Sequence, residues 1–132
     1  MDTFEISVDL QVSAAALYDA WLSSAEHSAF TGSNAEIDAS VGGKFTAWDG
    51  YIDGETLELE PGKRIVQSWR TSEFAANVPA SRIEVLFTDT DGGSKLTLIH
   101  SSLQPGDGEK YEQGWEESYF SPMRAYFAEK AS

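Results

Sequence analysis

Tyr111, Trp115, Tyr119, Met123 and Phe127 recur at every fourth position, with Tyr126 beside them. Apolar side chains at this spacing share one face of a helix, so the C-terminal region is predicted to be a long amphipathic helix with an aromatic stripe to bury. Glu109, Glu112, Glu116 and Glu117 fall in its first half and Arg124 and Lys130 near its end, the order that the helix dipole favours. Pro122 stands inside the stripe. It lacks a backbone donor and its ring crowds the carbonyl four residues earlier, which predicts a kink near Ser118.

The surface that would cover this stripe is legible upstream. Phe4, Ile6, Val8 and Leu10 alternate with Glu5, Ser7, Asp9 and Gln11, the period of a strand with one buried face. Ser13 offers an N-cap to a short helix over Ala14 to Leu22, and a second short helix or turn is expected around Ala25 to Phe30. From Ala35 to Leu103 turn signals punctuate the chain at Gly42-Gly43, Asp49-Gly50, Pro61-Gly62 and Asp91-Gly92-Gly93. Short links of this kind join neighbouring antiparallel strands, here over Lys44–Trp48, Gly54–Glu60, Ile65–Thr71, Arg82–Thr88 and Lys95–Ser101. Asp107 is a candidate N-cap for the last helix. The expected fold is α+β, a curved antiparallel sheet of six or seven strands around a long kinked C-terminal helix. Two short helices follow the first strand. With 132 residues and no linker or repeat, residues 1–132 are read as one domain.

Charge and composition narrow the partners. Twenty-two acidic against nine basic residues give a formal charge of −13. Nucleic acid is recognised through clustered Lys and Arg, and anionic membranes repel such a chain, so neither is an expected partner. The charge serves solubility first. There is no cysteine, which removes disulfides, thiolate zinc sites and a thiol nucleophile. Residues 1–5 carry no basic and apolar leader and no apolar run is long enough to span a bilayer, so a cytoplasmic location is expected.

Motifs for phosphate or calcium fail on inspection. Ahead of Gly43-Lys44, Asp38 replaces the first glycine of a phosphate loop, and Phe45 replaces its Ser or Thr. Asp89-Thr90-Asp91-Gly92 puts its glycine early for a calcium loop and has His100 where the bidentate glutamate belongs. His100 shares a strand face with Leu96 and Leu98, so it reads as a core histidine, with catalysis as a general base the alternative. Gln67, between Ile65 and Trp69, either bonds inside a cavity or meets water at a sheet edge.

Six ordered segments carry a family resemblance. They are Ala29-Phe30-Thr31, Val41-Gly42-Gly43-Lys44-Phe45, Asp49-Gly50 with Gly54, Leu59-Glu60-Pro61, Arg64-Ile65-Val66 with Trp69-Arg70, and Gln113-Gly114-Trp115 with Tyr119-Phe120. Together they resemble the C-terminal domain of the activators of the heat-shock protein 90 ATPase, within the START-like (SRPBCC) helix-grip superfamily. The resemblance implies a helix-grip fold, no catalytic residues and no cofactor, and a chaperone protein as a possible partner. In the eukaryotic activators a separate N-terminal domain carries the main chaperone contact, and its Asn/Trp-rich stimulating motif does not occur in this sequence.

Related folds use the space between sheet and helix as a pocket. The expected function is therefore non-enzymatic binding of an apolar or amphipathic small molecule there. The expected lining is Trp21, Phe45, Gln67, Trp69, Phe87, Leu98, His100, Trp115, Tyr119 and Met123. A chaperone-associated interaction protein is the first alternative and a polyketide-cyclase-like enzyme using His100 the second. A monomer or weak homodimer is expected.

Overall fold

The side chain of Ser13, in extended conformation, accepts a hydrogen bond from the Ala16 amide (3.2 Å) and starts helix α1, Ala14–Leu22. Ser23 ends α1 and caps α2, Ser24–Thr31, by accepting from the Glu26 amide (3.2 Å). Gly32, at φ 81°, stops α2 in the left-handed region, where glycine carries no Cβ penalty. These two helices follow β1, Asp2–Leu10. The computed structural model describes residues 1–131.

The remaining strands are β2 (Glu36–Ile37), β3 (Lys44–Ala47), β4 (Ile52–Glu60), β5 (Arg64–Thr71), β6 (Ser81–Thr90) and β7 (Gly93–Leu103). They form one seven-stranded antiparallel sheet in the order β1-β7-β6-β5-β4-β3-β2. The meander keeps neighbours together, and β1 alone crosses to pair with β7. The two-residue β2 has no signal in the sequence; it is too short for alternation to show.

Alternation puts one set of side chains on the inner face. Gln67 pairs with Ile83 and Ile83 with His100, while Val85 pairs with Leu98 and Phe87 with Leu96, and all seven are buried. Gly54 lies on β4 between β3 and β5. A Cβ there would lie 1.9 Å from the carbonyl oxygen of Ser68 and 2.8 Å from the ring of Phe45, so only glycine fits.

Helix α3 (Asp107–Trp115) leads into a π turn (Glu116–Phe120) and then α4 (Ser121–Ala131). The predicted kink near Ser118 takes this form. Pro122 offers no amide to the Ser118 carbonyl, and the Ser121 amide reaches back five residues to the Glu116 carbonyl. The wider turn also explains the stripe. At about 100° per residue, a spacing of four drifts by roughly 40° each step in an α-helix, enough to wind the stripe off the sheet. One widened turn takes up part of that drift, and Tyr111, Trp115, Tyr119, Met123 and Phe127 all remain buried. Each such side chain contributes about 1.5–3 kcal/mol by leaving water.

Asp107 is not the cap of α3. It is the first helical residue, behind Gly106 at φ 93°, and no side chain of the segment itself caps the helix. The carboxylate of Asp2 does so instead, its Oδ2 accepting from the amides of Gly106 and Gly108 (both 2.9 Å). The first strand thus ties down the start of the last helix. No helix among the described residues is long and apolar enough to cross a membrane.

Candidate functional site

Strand β7 places His100 under α3, where Trp115 covers it. The indole N–H of Trp115 donates to His100 Nδ1 (3.0 Å). Indole is only a donor, so Nδ1 is the unprotonated nitrogen and Nε2–H must donate to Ser81 Oγ (2.8 Å). The Ser81 hydroxyl passes its own proton to the Trp69 carbonyl (2.7 Å). Burial holds the imidazole pKa down at about 3. Both ring nitrogens are occupied and the residue is fully buried. Its one free lone pair and its N–H are both engaged inside the core, the state of a structural histidine.

His27, which the sequence did not single out, is the second buried imidazole. Its Nδ1–H donates to the Trp21 carbonyl (2.9 Å), which leaves Nε2 to accept the Tyr119 hydroxyl (2.7 Å). Burial lowers its pKa to about 4, against the raising effect of that carbonyl, and pushes the Tyr119 phenol well up. Trp21 donates to Gln67 Oε1 (3.3 Å), and Gln67 donates to Thr56 Oγ1 (3.2 Å). Gln67 is therefore interior and bonded, not at a wet edge.

Beside this bonded core lies a half-open aromatic cavity of about 280 Å³. Trp48, Tyr51 and Ile52 line it from the β3–β4 turn and β4, and Trp69 from β5. Lys110, Tyr111, Gly114 and Trp115 line it from α3, and Ser118 and Tyr119 from the π turn. At the rim Glu73 accepts from Lys110 Nζ (2.6 Å) and from the Tyr51 hydroxyl. Those bonds lower the Glu73 pKa, and the Tyr51 phenol is pushed up to about 12, chiefly by burial.

The turn that presents Trp48 is strained. Trp48 (φ 53°), Asp49 (φ 55°) and Gly50 (φ 87°) are left-handed in succession. For a bulky residue such a φ costs on the order of 1–3 kcal/mol, so the surroundings must enforce it. They do so through Asn34, whose carbonyl accepts from the Asp49 amide (3.0 Å) and whose amide donates to Asp49 Oδ1 (3.3 Å). The Trp48 Nε1–H is buried and has no partner.

Of the expected lining residues, the structure brings Trp69, Trp115 and Tyr119 to the cavity. Trp21, Phe45, Gln67, Phe87, Leu98, His100 and Met123 are buried in the packed interior and do not line it. The space between sheet and helix is filled by aromatic rings: Trp115 stacks on Trp21 (6.2 Å between centroids) and lies 4.6 Å from Tyr119. Met123 is fully buried and does not line this cavity, whereas Tyr119 does. Tyr111 was legible in the stripe. Gly114 and Ser118, four apart on one helix face, were the overlooked sign of space, since small residues there cannot fill it. Among the described residues no group of three or more His, Asp or Glu side chains could hold a metal ion.

The fold has known counterparts. The family model described as "Activator of Hsp90 ATPase homolog 1-like protein" matches residues 11–128. The human activator of 90 kDa heat shock protein ATPase homolog 1 is 33% identical over 99 residues, which cover 75% of this chain and 29% of that protein. The Dictyostelium discoideum activator homolog is 28% identical over 129 residues, 96% of this chain and 33% of its own length. The chain thus spans about a third of these curated relatives. A crystal structure of an HSP90 activator from Plasmodium falciparum superposes with a TM-score of 0.85 at 26% identity, covering 96% of each chain.

Proposed function

The chain belongs to the family of activator of Hsp90 ATPase homolog 1-like proteins, and from that membership we propose that it is a non-enzymatic binding domain whose partner is a chaperone of the Hsp90 type. The observation that carries this reading is the Plasmodium falciparum structure. That crystal structure, of an HSP90 activator, matches this chain over 96% of both chains. The bonded state of His100 and His27 fits a scaffold role better than a chemical one.

The contact surface follows from charge. Glu109, Glu112, Glu116 and Glu117 flank a groove between β1 and α3, with Ile6 and Phe120 at its floor. Arg124 engages Glu116 through two bonds (2.7 and 3.1 Å). A basic segment of the chaperone would meet this face, and its association would weaken as salt screens it. Calorimetric titration of the chain into purified Hsp90-type chaperone from the same source tests this. Binding at low salt that weakens at high salt, and weakens further in Glu109→Lys/Glu112→Lys, is expected. No heat of binding at low salt would reject the chaperone reading.

A second reading is favoured by the aromatic cavity: the domain also holds an apolar or amphipathic small molecule, at the Trp69–Trp115–Tyr119 wall and not along the whole helix.

A further inference from the structure

We propose that the aromatic cavity takes a neutral aromatic compound of one or two fused rings bearing a carbonyl, and that Trp48 donates its indole N–H to that carbonyl. This rests on the small-molecule reading above and adds the ligand class and the residue that selects it.

Several donors around the cavity are committed. Trp115 Nε1–H is given to His100, the Tyr119 hydroxyl to His27, and the Tyr51 hydroxyl to Glu73. The Tyr111 hydroxyl is bonded to Thr71 Oγ1 (3.0 Å). Trp48 Nε1 is one of two buried side-chain polar atoms without a partner among the described residues, and the other, Ser94 Oγ, does not line the cavity. A buried donor left unmade is destabilising, so an acceptor that reaches it gains more than an ordinary hydrogen bond. The atom itself is buried from solvent. Trp48 lines the cavity and is half-buried as a residue, so the proposed donation requires its ring to turn and present the N–H to the bound carbonyl.

Charge and size set the rest of the class. Lys110, the cationic residue of the lining, is already paired with Glu73, and the chain carries −13 overall, so a carboxylate has nothing to meet it. The walls are ring faces of Trp69, Trp115 and Tyr119, which favour a flat aromatic guest. At about 280 Å³ the space falls just below the range of drug-sized pockets, which limits the guest to one or two rings.

The test uses 1-tetralone and tetralin, which share a shape and differ in the carbonyl. Each is titrated into the ¹⁵N-labelled full chain while the indole N–H resonances of the four tryptophans are followed. The expected result is that tetralone binds about three- to tenfold more tightly than tetralin and shifts the Trp48 indole signal most. In Trp48→Phe that preference should disappear while tetralin binding persists. Equal binding of both compounds to the unsubstituted chain would overturn the role of Trp48 and leave the cavity reading standing. Failure of both compounds to shift any signal from the cavity residues, up to their solubility, would overturn the cavity reading and this inference with it. The matched pair needs no variant, so a Trp48→Phe chain that fails to fold does not shield the proposal.

Discussion

The indole N–H of Trp115 on α3 meets Nδ1 of His100 on β7 at 3.0 Å, joining the C-terminal helix to the sheet. That bond fixes the imidazole tautomer, and through Ser81 it extends to the backbone of β5. Trp69 packs edge-on against the same imidazole, 4.6 Å between centroids. Polar groups buried in such a chain gain from low dielectric when all are bonded and lose heavily when one is removed.

His100→Gln retains an acceptor and a donor of similar reach, so it is expected to lose no more than about 1.5 kcal/mol in urea denaturation. His100→Asp would bury a carboxylate opposite a donor and apolar rings, and is expected to lose more than about 3 kcal/mol. Equal losses for both would mean that the bonds to Trp115 and Ser81 contribute nothing.

Trp115→Ala is expected to lose about 3–5 kcal/mol, because it empties the space between Trp21, Trp69 and Tyr119. Trp115→Phe keeps most of the ring but leaves Nδ1 of His100 without a donor, an expected loss of about 1–3 kcal/mol. Denaturation midpoints that place both variants within about 1 kcal/mol of the parent would contradict this packing.

Acid should unfold the protein earlier than carboxylates alone would. The folded state holds His100 and His27 neutral, with pKa values of about 3 and about 4, against about 6.5 when unfolded. Below pH 6.5 the unfolded chain binds protons that the folded chain refuses, so stability is full above about pH 6.5 and falls as the pH drops. Each histidine removes up to about 1.4 kcal/mol per pH unit in that window. Hydrogen bonding lowers the pKa of Glu26, Glu73 and Glu116, whose contribution is lost in the same direction but at lower pH. Urea midpoints at about pH 7 and about pH 5 should differ clearly, and the difference should shrink in His27→Gln/His100→Gln. A midpoint that does not move between those pH values would show that the imidazoles reach solvent.

Asp2→Ala should cost about 0.5–2 kcal/mol, although Asp2 lies in the first strand, because it removes the acceptor for two amides at the start of α3. Hydrogen exchange should speed at Gly106 and Gly108 and not in α4. Uniform exchange changes along both helices would mean that the cap is not local to α3.

The fold was legible because its signals are periodic and local. The 111–127 stripe marked the helix, alternation marked the longer strands, and Pro122 marked the place where the helix widens. The cap was misassigned because Asp107 looks like a cap within its own segment, whereas Asp2 arrives from more than a hundred residues away. The cavity was drawn too deep for a related reason. A list of inward-facing residues says which side chains share a core and not where that core is filled, and here it is filled by bonded side chains, Trp21 to Gln67, Gln67 to Thr56 and Trp115 to His100. Trp48 carried no warning: Asp49-Gly50 reads as a tight turn, and only the bonds to Asn34 draw the preceding tryptophan into the left-handed run.

Gly114 gives the most direct measure of the cavity, because it separates spare volume from required volume. It sits within α3, lines the cavity, and a Cβ built on it meets nothing within 4 Å. Glycine inside a helix is less favourable than alanine by roughly 0.5–1 kcal/mol, so Gly114→Ala is expected to raise stability by about that amount. For a chain of this size the melting temperature should rise by a few degrees. Gly114→Phe projects a ring into the same space and should occupy it, leaving the fold intact while abolishing tetralin and tetralone binding. If Gly114→Ala is destabilising, the space beside α3 is not open. If Gly114→Phe folds and still binds both compounds with unchanged affinity, their site lies elsewhere on the protein.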